Sequence, residues 1–370
     1  MSSISHDGLT FMGLDVHKDS ISVGMLEPGS ELPVVDRIFH DEPSIRRLMG
    51  RFDDLSRLRV CYEAGPTGYE LARLLAAMGI SCQVAAPSLI PTAPGDHVKT
   101  DKRDCRRLTR LFRAGELVFI RIPTPEQEAV RDLCRARGAM IEDRRRARQR
   151  LTSFLLRHGR VYRDGRNWTQ RHAKWLAAQS FDHPALTATF EHDRALVDLF
   201  DAQLAAIDAQ LSSWVERDPF AEPVRRLAAY RGINDLGALV LTAEVFDWRR
   251  FASAPGFMSF VGLVPCEYSS GSTTRRGSLT KAGNTHVRHQ LVESAWAYQH
   301  RPAVGVQLRR RQEGLAPDTL ARSWKAQLRL CGRFRTLAAR KNVKSVVAAA
   351  VARELAGFVW GEMTADDHAA

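Results

Sequence analysis

The hydrophobic pattern of the chain changes once, near Pro125, and this change limits what the chain can fold into. Before it, short apolar runs of strand length are separated by turn signals, with some segments of helical spacing between them. After it, apolar residues recur at the steps typical of a helix, without a turn signal until His158 and Gly159. The sequence therefore predicts an α/β part followed by an all-α part.

The N-terminal part has the pattern of strands followed by alternating helix and strand. Residues 8–28 contain two apolar runs joined by a turn signal at 17–20, which predicts a β-hairpin. Further expected elements are a strand at 34–39, a strand at 57–63 that ends before a Gly-Pro break, a helix at 69–78 and a strand at 80–86. This order describes a mixed sheet with helices and fits an RNase H-like fold.

The all-α part is expected to begin with an unusually long helix from Pro125. Many arginines lie along it, including Arg144, Arg145 and Arg148, and we expect them to face nucleic acid. Residues 185–215 form a second helical pattern that would pack back antiparallel, making a helical hairpin arm, although two helices of a globular bundle would fit as well. The predicted domains are an α/β domain over 8–124, the helical arm over 125–218 and a helical domain over 219–364.

The charge of the chain indicates a polyanionic partner. Its 370 residues include 54 Lys and Arg against 42 Asp and Glu, a formal net charge of +12, which favours nucleic acid over a merely soluble basic surface. The six cysteines form no CxxC pair and no zinc-ligand spacing. No apolar run approaches the roughly 18 residues that span a bilayer, and the N-terminus lacks a signal-peptide pattern. We expect a cytoplasmic chain with no membrane segment.

Two acidic residues stand where strands are predicted. Asp15 lies in an apolar strand pattern, where a buried carboxylate is costly unless positive charge compensates it. Glu63 projects from the carboxyl end of a strand, where open α/β sheets place their sites. Without a shared site, Asp15 would fit a turn aspartate that caps the hairpin, and Glu63 would fit a surface glutamate.

Two further acids, Asp101 and Asp104, open a strongly basic helix. Their spacing places both on one helix face, with Cβ atoms roughly 5 to 6 Å apart. Thr100 is a natural N-cap and the helix dipole favours acids in a first turn, so capping explains one of them but explains two less well. Four acids in one domain suggest Mg²⁺ or Mn²⁺, which promote phosphoryl transfer. The predicted chemistry is phosphodiester cleavage in DNA or RNA.

Two blocks of sequence resemble the DEDD insertion-sequence transposases of the IS110 family, whose relatives include the Piv-type DNA invertases. The first block consists of GLDVHKDSISV, YEAGPTGYELARLL and VKTDKRDCRRLTRL. The second is FMSFVGLVPCEYSSGSTTRRGSLTKAGNTHVRHQLVESAW, with a GLxP segment, a Ser-Gly and a TKxGN followed by an arginine. The tail, KNVKSVVAAAVARELAGFVWGEM, is also similar to the family's closing helix. The resemblance covers most of the chain except the middle helices.

The resemblance implies a RuvC-like domain, a helical arm and a transposase domain, and it assigns roles to residues. The family's four metal-binding acids correspond to Asp15, Glu63, Asp101 and Asp104. Its catalytic serine corresponds to Ser270, directly before Gly271, with Ser269 as the alternative. A serine that attacks a phosphodiester forms a covalent link to DNA and conserves the bond energy for rejoining. Without the family, these serines would be read as a polar, glycine-flanked turn.

A cationic set surrounds the serines and consists of Arg275, Arg276, Lys281 and Arg288. Guanidinium and ammonium groups bind phosphate oxygens, so we expect these residues to bind DNA, although a solvated basic loop would have the same composition. Asn284 is expected to be structural, as a turn residue or N-cap.

The resulting hypothesis is a site-specific DNA recombinase, the transposase of an insertion sequence, that uses Mg²⁺ or Mn²⁺. As the family implies, a structured guide RNA would help to choose the element ends and the target DNA, and a dimer or tetramer would act at synapsis. One alternative is a DNA invertase or a junction-resolving nuclease that uses water. A non-catalytic regulator that binds nucleic acid is the other.

Overall fold

A computed structural model of the chain describes residues 8–91, 100–270, 273–341 and 343–365. The side chains of residues 269, 270, 273, 274 and 276 lie outside this description. The chain divides into two compact units, Met1–Pro123 and Thr124–Ala370. None of the helices in the described ranges combines the length and the apolar character that crossing a membrane requires.

The first unit is a mixed sheet with helices on both faces. Its elements are β1 (Thr10–Val16), β2 (Ser20–Leu26), β3 (Val34–Phe39), α1 (Glu42–Met49), β4 (Leu58–Glu63), α2 (Glu70–Ala77), β5 (Ser81–Ala85), α3 (Asp101–Ala114) and β6 (Phe119–Ile120). The strand order is β3-β2-β1-β4-β5-β6, with β1, β4 and β5 parallel and the other neighbours antiparallel. The predicted hairpin, third strand and strand–helix–strand alternation are confirmed.

Alternation along β1 divides the core of this unit between the two faces of the sheet. Met12 and Leu14 point to one face, where they pack with the buried side chains of α1 and α2. Phe11 points to the other face and contacts Phe112 of α3 edge-to-face, with ring centroids 5.4 Å apart. Because both faces are covered, the central strands are apolar throughout rather than alternating.

Helix α3 lies very close to β1 and β2 because both strands have a glycine beneath it. A Cβ at Gly13 would lie 2.6 Å from Oγ1 of Thr109, and a Cβ at Gly24 would lie 2.5 Å from the same atom. The Thr109 hydroxyl uses this space: it accepts from the Gly13 N–H at 3.2 Å and lies 3.1 Å from the Gly24 carbonyl oxygen and 2.7 Å from that of Cys105. This contact fixes where α3 sits along the strands.

The second unit consists of helices and one hairpin. Its elements are α4 (Pro125–Arg157), α5 (Gln170–Ala177), α6 (Pro184–Ser212), α7 (Ala221–Ala228), α8 (Asp235–Val245), α9 (Ala254–Phe260), β7 (Pro265–Ser270), β8 (Thr273–Leu279), α10 (Thr285–Ala295), α11 (Val306–Gln312), α12 (Pro317–Ala338) and α13 (Lys344–Thr364). Strands β7 and β8 pair antiparallel. Helix α13, apolar along most of its length, is buried against α7, α9, α10 and α12.

Helices α4 and α6 pack antiparallel along their lengths. Arg137 on α4 pairs with Asp208 on α6, and farther along α4 Arg150 pairs with Asp193 at 3.2 Å, so the partner's number falls as the arginine's rises. A separate apolar cluster around Leu151 covers the far end of the pair, while its near end joins the core of the C-terminal helices. The first helix begins at a complete capping box and ends just before the expected turn.

Candidate metal centre

Two of the predicted acids lie at the carboxyl ends of neighbouring parallel strands. Leu14 of β1 pairs with Tyr62 of β4, so the next residues, Asp15 and Glu63, lie at the same edge of the sheet. Both line an open cleft of about 670 Å³, and Glu63 is exposed whereas Asp15 is partly buried. The other lining residues are Val16, His17, Lys18, His40 and residues 64–67.

The other two acids occupy the first turn of α3. Thr100 caps this helix, as predicted, by accepting a hydrogen bond from the Arg103 N–H at 3.4 Å. The docking of Thr109 against β1 and β2 then sets the helix position. As a result Asp101 lies near the end of β1, next to the turn that leads into β2.

His17, in that turn, lies between carboxylates from two elements. Its Nε2 is 3.3 Å from Oδ2 of Asp15 and 3.6 Å from Oδ1 of Asp101. One potential ligand atom from each of the three residues lies within 4.8 Å of the other two. The sequence prediction missed His17 because residues 17–20 already had a sufficient explanation as a hairpin turn; its position two residues after Asp15 was the available signal.

The Asp15 carboxyl is partly buried and lies among other charged groups. Burial raises the pKa of the Asp15 carboxyl above its ordinary value; His17 opposes this shift, and the charges of Asp101 and Asp104 add to it. The net effect is a raised pKa with burial as its largest cause, so the ionised carboxylate is destabilised at this position. A bound cation would stabilise it.

Asp104 and Glu63 are less tightly placed than the other two acids. Asp104 faces Arg107 at 3.5 Å on the same helix, yet its charge still acts on Asp15. Glu63 lines the cleft but does not belong to the group within 4.8 Å. Carboxylate oxygens are the preferred ligands of Mg²⁺ and Mn²⁺, and imidazole nitrogen is a common ligand of transition metals. The donor set therefore fits a divalent cation, with Asp15 and Asp101 at its centre.

The predicted nucleophile belongs to the hairpin of the second unit. The backbones of Ser269 and Ser270 end β7 and pair with Thr274 and Thr273 of β8. The side chains of both serines lie outside the described residues, as does Gly271. The choice between the two serines therefore remains a prediction from the sequence.

The root of this hairpin is held by close backbone contacts. Gly283 has a φ of +80°, and a Cβ there would overlap the carbonyl oxygen of Phe260, so only glycine fits. Arg288 donates through Nη1 to the carbonyl oxygens of Val261 at 2.9 Å and Ala282 at 3.3 Å. The predicted DNA ligand Arg288 thus also holds the loop, and burial lowers the pKa of its guanidinium.

A buried carboxylate connects the hairpin root to the long helix. Asn284 caps α10, as predicted, by accepting from the Val287 N–H, and its Nδ2 donates to Oε2 of Glu244 at 2.8 Å. Arg135 of α4 donates to the same carboxylate at 2.7 and 2.9 Å. Burial alone would raise the pKa of Glu244, but hydrogen bonds from Arg135 and Asn284 outweigh it and hold that pKa below its ordinary value.

The remaining predicted nucleic-acid ligands differ in their exposure and in their ion-pair partners. Arg275 and Lys281 are exposed, and the side chain of Arg276 lies outside the described residues. Arg144 and Arg148 both pair with Asp201 of α6, at 3.0 and 2.9 Å, and so hold the two helices together. Arg145 is exposed and pairs with Glu142 at 2.7 Å on its own helix.

The mixed, helix-covered sheet, with acids at its carboxyl edge, is compatible with the RNase H-like fold of a DEDD domain. Residues 12–159 match the model of the DEDD transposases of IS110 type, described as transposase. Residues 224–307 match the model described as transposase, IS116/IS110/IS902 family.

Similar proteins extend this match to nearly the whole chain. A Sinorhizobium fredii protein named as a transposase, y4qE, is 42% identical over 353 residues, which are 95% of this chain and 87% of that protein. The transposase for insertion sequence element IS1533 of Leptospira borgpetersenii is 32% identical over 339 residues, 90% of this chain and 97% of its own length. The transposase for IS1328 of Yersinia enterocolitica is 23% identical over 306 residues, 79% of this chain and 85% of its own. The chain belongs to the IS110 family of insertion-sequence transposases and is a DNA transposase.

Proposed function

We propose that this transposase cuts and rejoins DNA in a reaction that depends on a divalent cation held by Asp15, Glu63, Asp101 and Asp104. The observation that carries the proposal is the convergence of Asp15 and Asp101, from a strand and a helix far apart in sequence, on one point of a cleft that Glu63 also lines. When bound, Mg²⁺ or Mn²⁺ would supply charge stabilisation for phosphoryl transfer.

The nucleophile of the proposed reaction is the hydroxyl of Ser270. Its oxygen forms a bond to the phosphorus of a DNA phosphodiester while the bond from phosphorus to one sugar oxygen breaks. The serine proton leaves, and the departing sugar oxygen takes up a proton. Since one phosphate ester replaces another, the energy of the bond is kept for rejoining. Hydrogen bonds of Asn284 and Arg288 fix the root of the hairpin that bears the serine, which supports this role by anchoring the hairpin to the helices.

The partners of the proposed reaction are DNA and a structured RNA. The net charge of +12, the exposed Arg275 on the serine-bearing hairpin and the exposed Lys281 at its root favour polyanions. A folded guide RNA would be recognised by its shape and backbone, which suits a chain rich in arginine. The proposed organisation is a nuclease domain over 8–124, an arm over 125–218 and a serine-bearing domain over 219–364, acting as a dimer or tetramer at synapsis.

The metal part of the proposal is tested with Asp15→Asn, which keeps the size of the side chain and removes its charge. We expect excision of the element from a donor plasmid to fall below detection, because the cation would lose a central ligand, while DNA binding in a gel-shift assay is kept. The control is Asp53→Asn, which removes an exposed carboxylate of the same unit and should leave excision unchanged. Excision at the normal level in Asp15→Asn would refute the metal assignment.

The serine part is tested with Ser270→Ala and Ser269→Ala, measured as denaturant-resistant protein–DNA adducts and as DNA cleavage. We expect Ser270→Ala to lose both, and Ser269→Ala to keep both. Loss in Ser269→Ala alone would move the nucleophile to Ser269. Cleavage that continues without any adduct in both variants would favour the hydrolytic nuclease instead.

A further inference from the structure

The position of His17 is the feature of the proposed metal site that the four acids do not explain. It is half-exposed in a turn, yet its Nε2 lies within 3.6 Å of carboxylate oxygens from both β1 and α3. Ligand atoms that bind one ion at about 2.1 Å in a near-octahedral arrangement lie about 3 Å from their neighbours. The separations of Nε2 from Asp15 and Asp101 are close to that value.

The turn that bears His17 is held by backbone hydrogen bonds on both sides. The N–H of His17 donates to the Ser20 carbonyl oxygen at 2.9 Å, and the N–H of His40 donates to the Asp19 carbonyl oxygen at 3.1 Å. Nδ1 of His40 lies 2.7 Å from the His17 carbonyl oxygen. A carbonyl oxygen only accepts, so this Nδ1 carries the proton. The end of β3 thus braces the turn and limits the positions open to the imidazole.

We infer that His17 is a direct ligand of the divalent cation, a nitrogen donor added to the oxygen donors Asp15 and Asp101. This inference rests on the proposed metal site and extends it by one residue. A tight turn that begins two residues after Asp15 and is braced by His40 places the imidazole at the cleft wall. The competing role is an ion pair in which His17 only balances the carboxylates and never contacts the ion.

A nitrogen ligand has a consequence for which ion binds. Mg²⁺ prefers oxygen donors, whereas imidazole binds first-row transition ions well. His17 therefore strengthens the binding of Mn²⁺ more than that of Mg²⁺. Loss of the imidazole should weaken Mn²⁺ binding by at least about tenfold, in line with the effect of losing groups around metal sites, and should change Mg²⁺ binding much less.

The test measures Mn²⁺ binding to the full chain, from the electron paramagnetic resonance signal of free Mn²⁺, and Mg²⁺ binding by competition. Electron spin-echo spectra of the bound Mn²⁺ report any directly coordinated ¹⁴N. We expect ¹⁴N modulation in the wild type, its loss in His17→Ala and in His17→Gln, and weaker Mn²⁺ binding in both. The matched control is His192→Ala, which removes an exposed histidine on α6 and should match the wild type.

Two results separate this inference from the proposed function. If His17→Ala and His17→Gln bind Mn²⁺ as the wild type does, or if the wild type shows no ¹⁴N modulation, His17 is not a ligand. The metal site itself still stands in that case, provided that Asp15→Asn loses Mn²⁺ binding. If Asp15→Asn also binds Mn²⁺ normally, the proposed site is wrong and the His17 inference fails with it.

Discussion

At the scale of single residues, the geometry of the acidic cluster depends on two glycines that carry no functional group and take no part in the proposed chemistry. Gly13 and Gly24 let Thr109 approach the sheet, and that contact sets the position of Asp101. In sequence these glycines look like ordinary members of apolar strands. Their role appears only when α3 is seen lying on them, because a close approach between distant segments leaves no local pattern.

Gly13→Ala tests this dependence. The added methyl group would press on the side chain and backbone of Thr109, and overpacking of this kind costs about 1–3 kcal/mol. We expect α3 to shift or loosen, with faster amide hydrogen exchange in β1 and α3 and weaker Mn²⁺ binding.

The control for Gly13→Ala is Gly138→Ala in the exposed middle of α4, where an added Cβ meets nothing within 4 Å. It should stabilise the helix by about 0.5–1 kcal/mol and leave Mn²⁺ binding unchanged. Normal exchange and normal Mn²⁺ binding in Gly13→Ala would show that α3 is positioned by other contacts.

At the scale of elements, Glu244 connects α8 to the start of α10 and to α4. Glu244→Ala removes the acceptor for both Arg135 and Asn284, and we expect the second unit to lose about 3 kcal/mol of stability. All seven tryptophans lie in this unit, so unfolding followed by tryptophan fluorescence reports on it alone. Hydrogen exchange should also rise around residues 280–288.

Glu142→Ala is the matched control, since it removes a partly exposed carboxylate paired with Arg145 on the same long helix. Its unfolding curve should stay close to that of the wild type. If both variants lowered the free energy of unfolding equally, the buried contacts of Glu244 would be no more stabilising than the ion pair of Glu142.

The Glu244 carboxylate also makes the stability of the second unit depend on pH, with a defined sign. Its pKa is lowered in the fold, so its contribution is present above the pKa of an unfolded glutamate, about 4.3, and is lost as the pH falls through the lowered folded value. The stability difference between the wild type and Glu244→Ala should therefore shrink on acidification below that pH. A difference that grows on acidification would contradict this account.

Helices and strands were more predictable from the sequence than the contacts between side chains of different elements. The hairpin β1–β2, the strand β3 and the start of α4 follow from strand patterning, turn residues and helical spacing, all of which are local. The partners of charged residues are not local. Arg144 and Arg148 look like free basic charge in sequence, yet Asp201 of another helix lies beside both. Asp15 and Asp101 were identified by type, but their proximity depends on how α3 docks.

At the scale of the whole molecule, the excess positive charge predicts how binding responds to salt. Each phosphate neutralised releases counterions, and the logarithm of the binding constant falls by roughly 0.9 per contact for each unit of log salt concentration. We expect a steep fall in affinity for duplex DNA, measured by fluorescence anisotropy between low and moderate salt. A flat response would count against a polyanionic partner.

The variant Arg275→Ala tests the salt dependence at a single residue, because the side chain of Arg275 is exposed on β8. If it contacts one phosphate, its loss should reduce the salt slope by about 1 with no change in stability. Arg288→Ala should instead loosen residues 261–282, since its guanidinium donates to carbonyl groups there. Equal slopes in the wild type and Arg275→Ala would exclude this phosphate contact.

The docking of α3 on β1 and β2 also bears on how such a protein can diverge. Because Thr109 anchors the helix from its middle, we expect that anchor to set the position of Asp101. Insertions or deletions between β5 and α3 should therefore be tolerated by evolution without displacing Asp101 and Asp104. In an alignment of relatives, length should vary freely on the N-terminal side of α3, and no gap should fall between Asp101 and Thr109.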